Sequence, residues 1–155
     1  MIYGECPAPP ELRSIVDRLW WLEGDAAEIA AEPIPPDGRT EIIVHAGAPF
    51  VEMDEAGSTH VQERVLLAGQ MTRPARVSPG GAVCLAGARL RPDAAYRLLG
   101  APQAMLTDRI VSLTDLARPL ARRAARRRAR PDGCASTGGG SGRRLASRTA
   151  GGGRG

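Results

Sequence analysis

The run Ala82-Val83-Cys84-Leu85-Ala86-Gly87-Ala88-Arg89-Leu90 decides how the rest of the chain is read. Gly80-Gly81 turns the chain into it, and it is apolar at odd and even positions alike. Alternate residues of a strand point to opposite faces, so a strand apolar on both faces is covered on both and belongs in the middle of a sheet. The same reading extends to residues 15–23, where Leu19 and Trp21 share one face and Trp20 and Leu22 the other, with Gly24-Asp25 closing the strand. Pro36-Asp37-Gly38 is a turn: Pro presets φ, Asp bonds its local backbone, and Gly accepts φ > 0. Strands follow at 40–46, 49–53, 59–68 and 74–79, the long one placing Val61, Val65 and Leu67 on one face. Six or seven short strands, with turn signals about every 8–12 residues, predict a mainly β fold, a sandwich or barrel.

Outside this block the pattern changes. Residues 3–12 are Pro-rich and without period, which predicts an extended N-terminal arm. Beyond Pro92, residues 93–99 read as a turn or two of helix, with Tyr96 and Leu99 at i, i+3 and Gly100 as the stop. Ser112-Leu113-Thr114-Asp115 resembles a capping box. Leu113, Leu116 and Leu120 then recur at helical spacing, with Pro119 placed to kink the helix.

Charge divides the chain. All 21 basic residues are Arg. Residues 1–116 hold ten Arg against sixteen acids, a net −6; residues 117–155 hold eleven Arg against Asp132 alone, a net +10. The expected organisation is one β domain with the start of a further helix over 1–121, then a disordered Arg/Gly-rich tail over 122–155 that lacks an apolar face to bury. A genuine tail of this kind binds nucleic acid through its phosphates, sequence-blind and salt-dependent, with Arg122, Arg123, Arg126, Arg127, Arg128 and Arg130 as the contacts. The other reading is a GC-rich gene translated out of frame, because Arg, Ala, Gly, Ser, Thr and Pro without Lys, beginning abruptly near 120–130, fit a frameshift or truncation.

Several classes are excluded. No apolar run approaches the ~18 residues that span a bilayer, and the first fourteen residues lack the basic and apolar regions of a signal peptide. Cys6, Cys84 and Cys134 are odd in number and widely spaced, and read as reduced thiols of a cytoplasmic protein. His45 and His60 stand fifteen residues apart and do not form the clustered imidazole set of a cupin metal site, so no metal is expected; they read as one half-buried and one loop histidine. No nucleophile motif or phosphate loop is present, and neither catalysis nor a cofactor is expected. A ligand would enter the β domain, with Trp20 or Trp21 as an aromatic wall and His45 and Arg89 as polar contacts. The plainer alternative makes both Trp core residues and Arg89 an edge charge.

A family resemblance covers roughly residues 7–121 in consistent order. Pro9-Pro10-Glu11-Leu12 leading to Leu19-Trp20-Trp21, then Ile34-Pro35-Pro36-Asp37-Gly38 before Glu41-Ile42-Ile43-Val44, resembles the N-terminal cupin-like domain of AraC-type bacterial transcription regulators. Leu67-Ala68-Gly69-Gln70-Met71-Thr72-Arg73-Pro74 looks like that family's Gly-x-x-Thr-x-Pro stretch. Ala86-Gly87-Ala88-Arg89-Leu90-Arg91-Pro92 looks like its Gly-x-Arg-Phe-x-Pro segment, with Leu90 where Phe is usual. Residues 107–113 match the approach to the interdomain helix. The resemblance implies an effector-sensing, dimerising domain, truncated before the helix-turn-helix half, since nothing after Arg122 has helical apolar periodicity. It leaves the small-molecule effector unnamed. No sequence-specific DNA binding by this chain is expected, and at most a weak homodimer, because an Arg-laden extension of the Leu stripe would set like charges together. The alternatives are a stand-alone cupin-like binder or enzyme, and a non-specific nucleic-acid binder acting through the tail.

Overall fold

The computed structural model describes residues 1–28, 33–99 and 102–116. Leu120, Cys134 and the Arg-rich segment with Arg122, Arg123, Arg126, Arg127, Arg128 and Arg130 lie outside them, as does the expected boundary at 121. In chain order the elements are β1 (Ile2–Pro7), β2 (Val16–Gly24), β3 (Glu41–His45), β4 (Phe50–Met53), β5 (Thr59–Val61), β6 (Val65–Ala68), β7 (Arg76–Pro79), β8 (Val83–Leu90), α1 (Ala94–Leu99), β9 (Ile110–Ser112) and α2 (Leu113–Leu116). The described residues thus form a mainly β fold with two antiparallel sheets: six strands in the order β1-β2-β8-β3-β6-β9, and three in the order β5-β4-β7.

The run that is apolar on both faces, β8, sits inside the large sheet between β2 and β3. Its outward row, with Ala88 and Leu90, joins Leu19, Ile42, Val44, Val65 and Leu67 in the main core, which Ala94 and Ala95 of α1, Leu106 and Leu113 cover. The other face looks toward the small sheet, where Leu85 and Val83 pack with Phe50, Trp20, Leu22 and Val77. The chain changes sheets at a corner where Ala46 and Gly47 donate to the Cys84 carbonyl and Ala48 donates to that of Ala82. A Cβ on Gly47 would run into this backbone.

Four local expectations are corrected. The N-terminal arm is an edge strand, β1, because residues 2–7 find hydrogen-bonding partners along β2 before Pro9 and Pro10 break the extension. The strand expected over 59–68 is two strands in different sheets: Gln62 donates to Phe50 O and Arg64 accepts from His45 N, which bends the chain between β5 and β6. Val61 therefore leaves the face of Val65 and Leu67 and is 66% exposed. In α1 the residues pressed into the core are Ala94 and Ala95, whereas Tyr96 is 59% exposed. Of the three cysteines expected as reduced thiols, Cys6 is free and exposed, while Cys84 is disulfide-bonded.

α2 follows β9 without a loop, and Leu113 is wholly buried against its own β domain while Leu116 stays partly exposed. Among the described residues no helix is long and apolar enough to cross a membrane.

Candidate functional site

Between the two sheets lies a cavity of about 280 Å³. Its floor is one face of the large sheet, and the strand register stacks that face in three layers. Glu41 pairs with Arg89, Ile43 with Gly87, and His45 with Leu85; on β2, Trp20 pairs with Gly87 and Leu22 with Leu85. Two residues of strand advance about 6.6 Å, so the Glu41–Arg89 layer and the His45–Leu85 layer stand about 13 Å apart. Ile43, Leu66, Leu85 and Phe50 make the walls between them mostly apolar.

The central layer depends on a glycine. A Cβ on Gly87 would overlap the Trp20 ring, so the indole lies across that residue. The other indole lies across Gly4 on the opposite face in the same way. Glycine in a strand interior marks such close approaches. Trp20 is thereby held at the cavity, with Tyr3 tilted against it at 6.4 Å between ring centroids. Trp21 faces away from it, as adjacent strand residues must.

One end of the cavity is charged and internally matched. Arg89 Nε donates to Glu41 Oε1 at 2.9 Å, and its Nη2 lies 3.5 Å from Asp37 Oδ2. Burial opposes the charge of Arg89, but the Glu41 hydrogen bond and charge, with Asp37, outweigh it and hold the guanidinium above its ordinary pKa. The Pro36-Asp37-Gly38 turn places Asp37: its Oδ1 accepts from Arg39 N at 2.9 Å, and Gly38 sits at φ 66°. Burial and neighbouring Glu5 push the Tyr3 hydroxyl above the usual phenol range, so it stays protonated and donates to Glu5 Oε2 at 3.2 Å.

The other end holds His45, 1% exposed rather than half-buried as the sequence suggested, because the sheet corner closes over it. Its ring tilts against Phe50 at 5.5 Å between centroids. Neither ring nitrogen meets a hydrogen-bond partner of good geometry, and neither does the buried Trp20 Nε1. Burial holds His45 below the ordinary imidazole range and Arg64 acts in the same direction, while Gln62 alongside favours the charged form. The Gln62 amide nitrogen, however, donates to Glu52 Oε2 at 3.1 Å.

Trp20, His45 and Arg89 thus line one cavity, and Trp21 does not. His60 is on β5, 3.5 Å from Glu52 Oε2, rather than in a loop. Among the described residues no three His, Cys, Asp or Glu side chains gather closely enough to hold a metal ion. Sequence reasoning missed Glu41 and Asp37, although the signal was there: Glu41 is a lone charge in an apolar strand, four residues before His45 and so on the same face.

Fold and cavity together define a two-sheet antiparallel β sandwich with a partly open, mostly apolar space between its layers. Residues 4–112 match the model of a family described as a domain of unknown function, DUF6597, and the chain belongs to that family. No curated protein and no solved structure matches it.

Proposed function

We propose that this β sandwich is a sensor for a small-molecule effector, the sensing module of an AraC-like transcriptional regulator, and a binder rather than a catalyst. The observation that carries this reading is the cavity itself: a mostly apolar space between the sheets whose wall includes the fully buried His45, with the matched Arg89 and Glu41 at its other end. Ligand sites are concave, mostly apolar spaces with a small number of placed polar groups, and this cavity has that make-up. The finer reading, a regulator of AraC type, rests on the ordered motif series between residues 7 and 121. In this reading the effector acts by favouring one arrangement of the elements that follow the cavity, α2 first. No sequence-specific DNA contact is expected of these 155 residues, and any self-association is weak.

A thermal-shift screen of small metabolites on the full chain tests the sensor. A true effector stabilises the chain by about 2.7 kcal/mol at a hundredfold excess over Kd, and Ile43→Trp, which fills the cavity, abolishes the shift. Hits that stabilise Ile43→Trp equally well, or a discrete salt-resistant DNA footprint by the chain alone, would refute the reading.

A further inference from the structure

We infer that the inter-sheet cavity takes an amphipathic monoanion: a small apolar body, one ring or a short chain, carrying a carboxylate that pairs with Arg39 at the cavity's opening. This rests on the reading of the cavity as a ligand site and adds the chemical class of its ligand.

The two ends of the cavity differ in chemistry. His45, Phe50, Leu66 and Leu85 line the closed end and are all buried. The exposed lining residues all fall between 34 and 39; Ile34 is 52% exposed, and Asp37 and Arg39 are exposed beside it. The cavity therefore opens next to its charged layer, about 13 Å from the layer of His45. A molecule that fills it has an apolar end inside and its other end at water. The volume, about 280 Å³, stands at the lower bound of small-molecule sites, ~300 Å³, which limits the size of the apolar body.

Arg39 supplies the charge at the opening. Thr40 is 2% exposed and its carbonyl accepts from Leu90 N, so the backbone there is already extended and bonded beside β8. Alternation then puts Arg39 on the cavity face, in the row of Glu41, Ile43 and His45. The other formally charged groups of the lining answer one another. Arg89 donates to Glu41 and faces Asp37 Oδ2, and Asp37 Oδ1 accepts from Arg39 N. The Arg39 guanidinium meets no carboxylate among the described residues. A guanidinium bonds a carboxylate through two parallel N–H donors, so a planar head group fits it best. Asp37 and Glu41 stand two residues to either side of Arg39. One negative charge on the ligand is answered by Arg39, and a second would face those carboxylates. A cation would meet carboxylates that already hold a donor, with Arg39 beside them.

The experiment compares four probes of one shape on the full chain: p-toluate, p-toluamide, p-methylbenzylammonium and p-tolyl phosphate. Binding is read by NMR of the ¹⁵N-labelled indoles, Trp20 on the cavity wall reporting and Trp21 on the opposite face serving as the internal control. p-Toluate should shift the Trp20 resonance saturably and leave Trp21 in place. It should bind about fivefold more tightly than p-toluamide, the margin of a charge-assisted over a neutral hydrogen bond. The margin should shrink at high salt, because Arg39 is exposed. Arg39→Gln should erase it while p-toluamide affinity holds, and Arg39→Lys, which keeps the charge without the paired donors, should keep part of it. The ratio of p-toluate to p-toluamide in the unaltered chain tests the inference without any variant. Three results overturn the inference and leave the ligand-site reading standing: p-toluamide binding as tightly as p-toluate, the ammonium or the phosphate binding more tightly than p-toluate, or a margin that Arg39→Gln leaves intact. Failure of all four probes to shift Trp20 overturns both.

Discussion

Asp108 is clasped by Thr72. Its Oδ1 accepts from Thr72 N and its Oδ2 from Thr72 Oγ1, both at 2.6 Å, while its own backbone sits at φ 54° in the left-handed region and its amide donates to Gln70 O. The clasp joins the segment that enters β9 and α2 to the stretch beginning at Gly69 and Met71, which line the cavity. Gly69 is part of the same joint: its amide donates to Arg109 O, and a Cβ on it would overlap the Leu106 carbonyl. What happens in the cavity is therefore one short, taut segment away from the helix that follows.

The clasp sets an acid-side stability limit. The Thr72 hydrogen bonds, with Arg73 nearby, hold the Asp108 carboxyl below the usual carboxylate range. A depressed folded-state pKa contributes stability that is fully present above the unfolded value, ~3.9, and is lost as pH falls through the folded one. Asp108→Asn should lower the melting temperature at pH 7 and flatten its fall toward pH 3; Asn tolerates the left-handed backbone, so the change isolates the charge. Thermal melts across that range check it, and an unchanged acid limb would show that the clasp contributes nothing.

His45 acts in a higher window. Burial holds it neutral, with its folded pKa below the unfolded value of ~6.5. The contribution is complete above pH 6.5 and declines as pH drops toward the folded value, because the unfolded chain takes up the proton first. His45→Gln should make stability independent of pH between about 7 and 5, as measured by chemical denaturation at both ends.

Gly87→Ala should be more harmful than its size suggests. The new methyl would strike the Trp20 ring rather than fill space, and overpacking of this kind costs about 1–3 kcal/mol. The indole should move, giving a shift in tryptophan emission that Gly87→Ala in a Trp20→Phe background does not show. A melt within ~0.5 kcal/mol of the parent would contradict the close approach.

Leu67→Ala tests the core on the far side of the sheet. Leu67 has no exposed surface and packs in the cluster with Leu90, Leu106 and Leu113, so truncation should cost about 2–5 kcal/mol. Because the layer is separate from the cavity face, the affinity of an effector found in the thermal-shift screen, measured at low temperature, should be unchanged.

Arg89 and Glu41 should couple. A double-mutant cycle with Arg89→Met and Glu41→Gln should return about 1 kcal/mol, since the pair is bonded at 2.9 Å and both side chains are largely shielded. A coupling near zero would mean that the charged end of the cavity is solvated rather than locked.

Local patterning by itself determined a good deal of this protein. Apolar residues on both faces of 82–90 required a covered central strand, and β8 is one; the alternation in 15–23 correctly sent Trp20 and Leu22 one way and Leu19 the other; Pro36-Asp37-Gly38 made its turn. These are short-range consequences of side-chain period and turn chemistry, and need no knowledge of partners. Tertiary structure alone decided which strands neighbour one another, and from that everything about the cavity. Residues 2–7 became a strand only because β2 offered an unpaired edge, and 59–68 broke in two because Gln62 and Arg64 bonded to different sheets. Trp20 and Trp21 are equivalent in the sequence, yet only the one laid across Gly87 lines the cavity. His45, Glu41 and Arg89 come within one space because β3 and β8, nearly forty residues apart in the chain, pair in a single register. A strand's own residues fix which way its side chains point, but what they point at is set by pairing between distant segments, and no local pattern encodes that.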